Sequence, residues 1–166
     1  MAFMSQDNKR LLEVGIKAIL TKYGLKGSLS VRHYSTLVLN IKSGKIDFIR
    51  NFNEVGLQSN INRNQDDRFQ DAKGYIQVNE FWYHEHFSGQ AKECLGELIA
   101  AMNIGNHDNS DIQSDFFDVG WYLSINIGSW DKPYQYTGKA KVDSNEELKA
   151  TIENQRKTIR RLVERL

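Results

Sequence analysis

The segment His84-Glu85-His86 carries the residue types of a metal site. In an extended segment, side chains two positions apart point to the same side, so both imidazoles could hold one ion. A third ligand could come from His107, Asp108 or Asp111. The alternative, which we favour, is that histidines among aromatic residues before a helix are ordinary surface residues. A metal-dependent hydrolase built on His84, His86, Asp108 and Asp111 is therefore the third of three functional hypotheses.

Four acidic residues fall within eleven positions, at Asp108, Asp111, Asp115 and Asp118. Grouped carboxylates can hold magnesium or calcium, but this spacing does not follow the calcium-loop pattern. Asn, Asp and Ser fill the same segment, and these residues are typical of turns. We therefore interpret the four carboxylates as turn and capping groups.

Cys94 is the one cysteine of the chain, and it lies on the apolar side of a predicted helix. This position predicts a buried thiol rather than a nucleophile. The sequence has no serine elbow, no phosphate-binding glycine loop and no paired zinc-cysteine motif. These patterns favour a protein that is not an enzyme, and no cofactor is expected.

Residues 117–127, FDVGWYLSINI, alternate between apolar and other residues at every position. Strict alternation predicts one long strand with a single buried face, placed centrally in a small sheet. If the opposite face is uncovered, its side chains and those after the strand form a recognition surface. The predicted binding residues are Tyr122, Ser124, Asn126, Trp130 and Tyr134.

Helical periodicity predicts helices over Ser5–Tyr23 and Ser88–Asn103. Alternation predicts three strands as an antiparallel meander, ending in Ile46–Phe48, and a short strand at Ile76–Val78. Residues 51–74 are expected to form a long loop with one short helix around 64–72. The aromatic residues Phe81, Trp82, Tyr83 and Phe87 are expected to plug the core beneath the second helix. The predicted class is α+β: a small, mainly antiparallel sheet (the meander plus one long central strand) packed by two helices.

A protruding C-terminal helix is predicted after the capping box Ser144–Glu147. We therefore divide the chain into a globular domain, 1–138, and an amphipathic helix, 143–166, with a short heptad seam that favours a homodimer. The seam residues are Leu148, Ile152, Gln155, Ile159, Leu162 and Leu166. The helix also has cations that could contact nucleic acid or complement the helix dipole. These are Arg156, Lys157, Arg160, Arg161 and Arg165.

The composition is that of a globular protein, with 40% hydrophobic and 26% charged residues over 166 positions. The formal net charge of +1 argues against a uniformly basic nucleic-acid-binding surface. One cysteine excludes an internal disulfide and suits a reducing compartment. With no membrane-length apolar run and no signal pattern at the start, we expect a cytoplasmic protein.

Three stretches carry a resemblance to a known family: residues 24–49, 74–103 and 107–134. Their motifs are Ser-Val-Arg in the first strand, F-x-V-x-x-Y from Phe117, and N-I-G-x-W-D-K-P-Y from Asn126. Over about residues 8 to 135 the chain resembles small proteins of bacteriophages and conjugative elements, a family related to the large-polyvalent-protein-associated domain number twenty-nine. The resemblance implies a mobile-element protein acting in the host bacterial cytoplasm, and it assigns no catalytic residues.

The leading functional hypothesis is thus a non-enzymatic phage or mobile-element protein. It would bind and inhibit a host macromolecule, a protein or protein complex such as a component of a bacterial defence system. The second hypothesis is a nucleic-acid-binding dimer that uses the basic C-terminal helix.

Overall fold

The computed structural model describes residues 2–62, 71–138, 153–161 and 163–164. The chain has the predicted α+β class, with helices packed on a five-stranded sheet. The elements in chain order are α1 (Gln6–Lys22), β1 (Leu25–Arg32), β2 (Thr36–Gly44), α2 (Phe48–Asn62), β3 (Ile76–Val78), α3 (Tyr83–His86), α4 (Gly89–Met102), β4 (Tyr122–Ile127) and β5 (Gln135–Tyr136).

The sheet has the strand order β1-β2-β4-β3, with β5 added beside β2. Its outer pairs, β1 with β2 and β3 with β4, are antiparallel. The central pair is parallel, with Thr36 opposite Tyr122 and Ile41 opposite Ile127. The strand that the alternation predicts to be central does lie between two others. The parallel pairing is a feature that a meander does not contain, because parallel strands need a crossover connection.

The core lies on one face of the sheet, beneath α1 and α4. Leu39 of β2 and Ile125 of β4 are buried there together with Leu95 and Leu98 of α4. At the surface, the Lys22 ammonium contacts the Glu97 carboxylate at 2.8 Å and links α1 to α4. The two helices and the central strands therefore form one packed body.

Both predicted long helices are confirmed, and local signals set their ends. The Ser5 hydroxyl accepts a hydrogen bond from the Asn8 amide at 3.0 Å, which caps the start of α1. Gly24 follows α1 with a φ of +67°, a conformation that favours glycine. Gly105, with a φ of +83°, follows α4 in the same way.

The predicted strand at Ile46–Phe48 is wrong, because helix α2 begins at Phe48. The Asp47 carboxylate accepts a hydrogen bond from the Arg50 amide at 3.2 Å and caps this helix. The long loop expected over 51–74 is therefore helical as far as Asn62. Most of the short helix expected around 64–72 falls on residues outside the described ones.

The long strand predicted over 117–127 is regular only from Tyr122. Its first half pairs instead with the preceding segment, through a bridge of Asp108 with Val119 and another of Asp111 with Phe116. One alternating sequence therefore makes two different pairings: its first half pairs with the residues just before it, and its second half pairs with β2. We call residues 106–120, which fold back on themselves in this way, the arm.

The C-terminal segment is helical over 153–161, and its side chains are exposed. The capping box at Ser144–Glu147 lies outside the described residues. Among the residues that are described, no helix has the length and apolar character needed to cross a membrane.

Candidate functional site

A cleft of about 390 Å³ opens where β4 begins, between the arm and the segment that precedes α3. Its walls come from elements far apart in the chain. Glu80 and Phe81 line one side, His107 and Asp108 of the arm line another, and Tyr122 lies at the start of β4. The volume lies within the usual range for ligand pockets, about 300–1,000 Å³.

Asn106 fixes the arm to the start of β4. Its side-chain oxygen accepts hydrogen bonds from the amides of Trp121 and His107, both at 2.9 Å. Its amide nitrogen donates to the Trp121 carbonyl at 2.9 Å and to the Asn103 side chain at 3.0 Å. The Trp121 indole is buried and donates to the Met102 carbonyl at 3.0 Å. The wall of the cleft is therefore held by a satisfied network of hydrogen bonds.

The ionisable groups near the cleft have different environments. His107 Nε2 and the Asp118 Oδ1 atom are 3.0 Å apart, and this hydrogen bond lowers the pKa of Asp118. Hydrogen bonds from Ser110 lower the pKa of Asp108. Partial burial instead raises the pKa of Glu80, because it disfavours the charged carboxylate.

Two exposed aromatic side chains line this cleft, and backbone hydrogen bonds bring the segments of two others to the same end of the sheet. The Phe3 amide donates to the Gly120 carbonyl at 2.8 Å, and the Met4 amide donates to the Tyr34 carbonyl at 2.7 Å. Phe81 and Tyr122 line the cleft and are 73% and 48% exposed. We call Phe3, Tyr34, Phe81 and Tyr122 the aromatic end.

Tyr34 lies at a strained turn. It and His33 are the two central residues of the tight turn between β1 and β2, with φ values of +58° and +53°. Turns of this kind usually have Asn-Gly there, because a positive φ is costly for other residues. Tyr34 is nevertheless 78% exposed. Strain in an exposed aromatic residue points to a role other than stability.

The predicted metal residues are not brought together. The expectation of an extended segment at His84–His86 is wrong, because both histidines lie in helix α3, where residues two apart face different directions. His84 stacks on Trp82, and His86 contacts the edge of Phe52. In the described ranges, no group of three His, Cys, Asp or Glu side chains is arranged to hold a metal ion.

Two of the four arm carboxylates cap turns, as their interpretation as turn and capping groups expects. The Asp111 carboxylate accepts hydrogen bonds from the Gln113 amide at 3.0 Å and from the Ser114 hydroxyl at 2.9 Å. The Asp108 carboxylate accepts from the Ser110 amide at 3.1 Å.

The predicted binding surface is only partly exposed. Ser124 and Tyr134 are buried, so the expectation that they line an open surface is wrong. The Tyr134 hydroxyl donates to the Ile46 carbonyl at 2.7 Å. Asn126 is half-buried and donates to the Asn40 side chain at 3.0 Å. Tyr122 and Trp130 are exposed, but they lie at opposite ends of β4.

Of the predicted tail residues, those within 153–161 are exposed on a helix. They are Gln155 and Ile159 of the seam and Arg156, Lys157, Arg160 and Arg161 of the basic set. Leu148, Ile152, Leu166 and Arg165 lie outside the described residues, as does Leu162. The predicted dimer and nucleic-acid contacts therefore stay predictions.

Sequence reasoning missed Phe3, Tyr34 and Phe81. Phe81 and Trp82 were expected in the core, yet both are exposed, while Phe87 of the same cluster is buried. A usable signal was present at the turn, where His33-Tyr34 replaces the residues that a tight hairpin prefers.

The His107–Asp118 pair could move a proton, but no hydroxyl or thiol hydrogen-bonds to His107 in the part of the chain that the structure describes. Cys94 is fully buried, and burial raises its pKa to about 12, so its thiol stays protonated. No protein-family model, curated protein or solved structure matches this chain.

Proposed function

We propose that this chain is a non-enzymatic interaction protein that binds a host protein through the aromatic end and so inhibits it. The observation that carries the proposal is a cleft lined by the exposed Phe81 and Tyr122, at the end of the sheet where backbone hydrogen bonds also place the exposed Phe3 and Tyr34. Exposed apolar groups on a folded protein mark interaction sites when they are contiguous, and aromatic residues dominate binding energies. The resemblance to phage and conjugative-element proteins supports a bacterial host and a defence component as the target.

The charge of the arm indicates the chemistry of the partner. Four aspartates lie between residues 106 and 120, and this segment has no lysine or arginine. Asp108 and Asp118 carry negative charge at neutral pH, and their hydrogen bonds lower the pKa of both carboxyl groups further. Acidic groups beside apolar ones complement a partner surface with apolar residues and flanking cations. The partner is therefore expected to present Lys or Arg around an apolar patch.

The test compares two double variants that add the same charge at exposed apolar positions. Phe81→Asp with Tyr122→Asp places charges in the aromatic end, and Leu11→Asp with Val14→Asp places them on exposed positions of α1. Tagged forms of each are used to capture proteins from bacterial lysates. We expect one host protein to be retained by the unaltered chain and by the α1 variant, and to be lost with the aromatic-end variant.

The captured protein is then purified and its activity measured with each form of the chain. The proposal is supported if the unaltered chain and the α1 variant inhibit this activity and the aromatic-end variant does not. Retention of the same host protein by the aromatic-end variant, with an unchanged melting temperature, contradicts it. So does a captured protein whose activity the chain leaves unchanged.

The second candidate is nucleic-acid binding by the C-terminal helix. Arg156, Lys157, Arg160 and Arg161 are exposed, and they form two adjacent pairs four residues apart, which groups them along one side of the helix. A salt-dependent gel shift that is lost in Arg160→Glu with Arg161→Glu supports this function. If no gel shift occurs at low salt, nucleic-acid binding by this helix is excluded.

A further inference from the structure

A second cleft lies where the two parallel strands end, opposite the aromatic end. Ile41 and Ile127 are the last pair of β2 and β4. The chain then leaves at Gly128, whose amide donates to the Ile41 carbonyl at 2.9 Å, and returns as β5 beside the end of β2. The residues between bound a cavity of about 490 Å³. Crevices outside the carboxyl ends of parallel strands are common ligand sites in open sheets.

The turn over residues 129–132, on one wall of this cavity, is held by its own hydrogen bonds. The Ser129 amide donates to the Lys132 carbonyl at 2.9 Å, and the Lys132 amide donates to the Ser129 hydroxyl oxygen at 3.2 Å. The Ser129 hydroxyl donates to the Asp131 carboxylate at 2.8 Å. The backbone that presents Lys132 is therefore fixed before any ligand arrives, which lowers the entropic cost of binding.

The lining of this cavity is positively charged. It includes Lys42 from β2 and Lys132 from the turn, and no Asp or Glu is among its residues. In the described ranges, neither lysine has a carboxylate within ion-pair distance. The carboxylate of Asp131, in the same turn, lies near enough to Lys132 for their charges to attract. Asn40 also lines the cavity, and its side-chain oxygen is occupied by Asn126, which leaves its NH₂ group as a donor. Two ammonium groups and an amide donor suit a phosphate.

Trp130 adds an exposed aromatic side chain to the turn that presents Lys132. It lies at the tip of the turn, between Ser129 and Asp131, and is 82% exposed. An indole face stacks on nucleobases, and such stacking contributes about 1–3 kcal/mol per base.

We propose that this cleft binds a nucleoside phosphate. The phosphate groups lie between Lys42 and Lys132, and the base stacks on Trp130. The site is separate from the aromatic end, since the five residue steps from Thr36 to Ile41 along β2 span about 17 Å. It does not depend on the protein-binding function proposed above.

The test is a calorimetric titration of the full chain with ATP, GTP, CTP and UTP, with inorganic triphosphate, with adenosine, and with a ten-nucleotide single strand. We expect at least one nucleoside triphosphate to bind more tightly than either inorganic triphosphate or adenosine. Lys42→Gln with Lys132→Gln should weaken nucleotide binding at least tenfold. The control, Lys9→Gln with Lys92→Gln, removes the same charge from α1 and α4 and should leave it unchanged.

Trp130→Ala separates stacking from charge. It should weaken nucleoside triphosphate binding severalfold and leave inorganic triphosphate binding unchanged. All three altered side chains are exposed, so an unchanged melting temperature shows that the fold persists.

Three results would overturn the proposal. The first is no binding of any nucleoside triphosphate at millimolar concentration. The second is equal binding by the Lys42/Lys132 variant and its control. The third is binding of a ten-nucleotide single strand but of no mononucleotide, which assigns the surface to nucleic acid instead.

Discussion

His33 and Tyr34 show how a single turn can separate stability from function. Both residues have a positive φ, which is costly for side chains of their size. A sequence selected for stability alone would have Asn-Gly at these positions. The chain instead keeps an exposed tyrosine beside Phe3 and the start of β4.

Replacing the turn should therefore stabilise the protein. We expect His33→Asn with Tyr34→Gly to raise the free energy of unfolding by about 1–2 kcal/mol, because Asn and Gly tolerate a positive φ. Urea unfolding measures the change. Tyr34→Ala is the control, since it removes the ring and keeps the strained backbone, and it should bring no gain. A double variant no more stable than this control would show that the turn carries little strain.

The contribution of Asp118 to the stability of the fold should depend on pH. Its hydrogen bond with His107 lowers its pKa in the folded state, so the folded protein binds this proton less tightly than the unfolded chain. The resulting stabilisation is present above the unfolded pKa and is lost as the pH falls through the lower folded pKa. We expect the stability difference between the unaltered chain and Asp118→Asn to shrink over that interval, as followed by urea unfolding from pH 6 to pH 2.

Asp71→Asn provides the matched control, because it removes one exposed carboxylate that forms no ion pair in the described part of the chain. Its stability difference from the unaltered chain should change less over the same pH interval. A parallel course for the two variants would contradict the role given to the His107–Asp118 pair.

Among the elements, those with a strong local signal were predictable. Helices α1 and α4 combine apolar periodicity with end signals at Ser5, Gly24 and Gly105, and both form as expected. The alternation of Ile46 and Phe48 predicts a strand where helix α2 begins, and the polar composition after it predicts a loop. The capping residue Asp47 between them was the better signal.

The pairing of strands was less accessible from sequence. Alternation in 117–127 shows which positions are buried, but not which strand lies alongside. Residues before Trp121 pair within the arm, and those after it pair with β2. Both clefts depend on this choice, because the first forms beside the arm and the second at the end of the parallel pair. The sequence therefore indicates several residues of the two clefts but does not predict that they come together.

The backbone is closely packed around Gly128, at the junction after β4. Its φ is +68°, and a Cβ added there would lie 2.5 Å from the Gly74 carbonyl oxygen and 2.6 Å from the Tyr134 nitrogen. We expect Gly128→Ala to lower the free energy of unfolding by about 3 kcal/mol, since strain and a backbone clash act together. Thermal and urea unfolding both report the loss.

The paired control is Gly15→Ala. Gly15 lies inside α1, and a Cβ there would meet nothing within 4 Å. Alanine is the better helix former, so this variant should gain about 0.5–1 kcal/mol. If glycine-to-alanine replacement lowers the free energy of unfolding at Gly128 and raises it at Gly15, the loss is due to the tight packing at the junction after β4. A loss below 1 kcal/mol in Gly128→Ala would show that the junction can relax.

In the whole molecule, the two clefts lie at opposite ends of the same central strands. β2 and β4 are parallel, so one end gathers the aromatic residues and the arm, and the other gathers Lys42 and the turn after β4. Occupancy of one cleft should therefore leave the other accessible, and variants at the two ends should have additive effects on stability, as expected of distant sites.

If the C-terminal helix pairs with a second copy of the chain, the dimer has two copies of each cleft. Its heptad spacing favours pairing, and the exposed Ile159 within 153–161 is the apolar group that a second helix would cover. Two such helices are short, so the dimer should form only as concentration rises. Sedimentation equilibrium should give the full chain twice the mass of one copy, and residues 1–142 the mass of one. Ile159→Asp should behave as the truncated form does. A single-copy mass for the full chain at 100 µM would leave the helix as an exposed basic segment and favour its contact with nucleic acid.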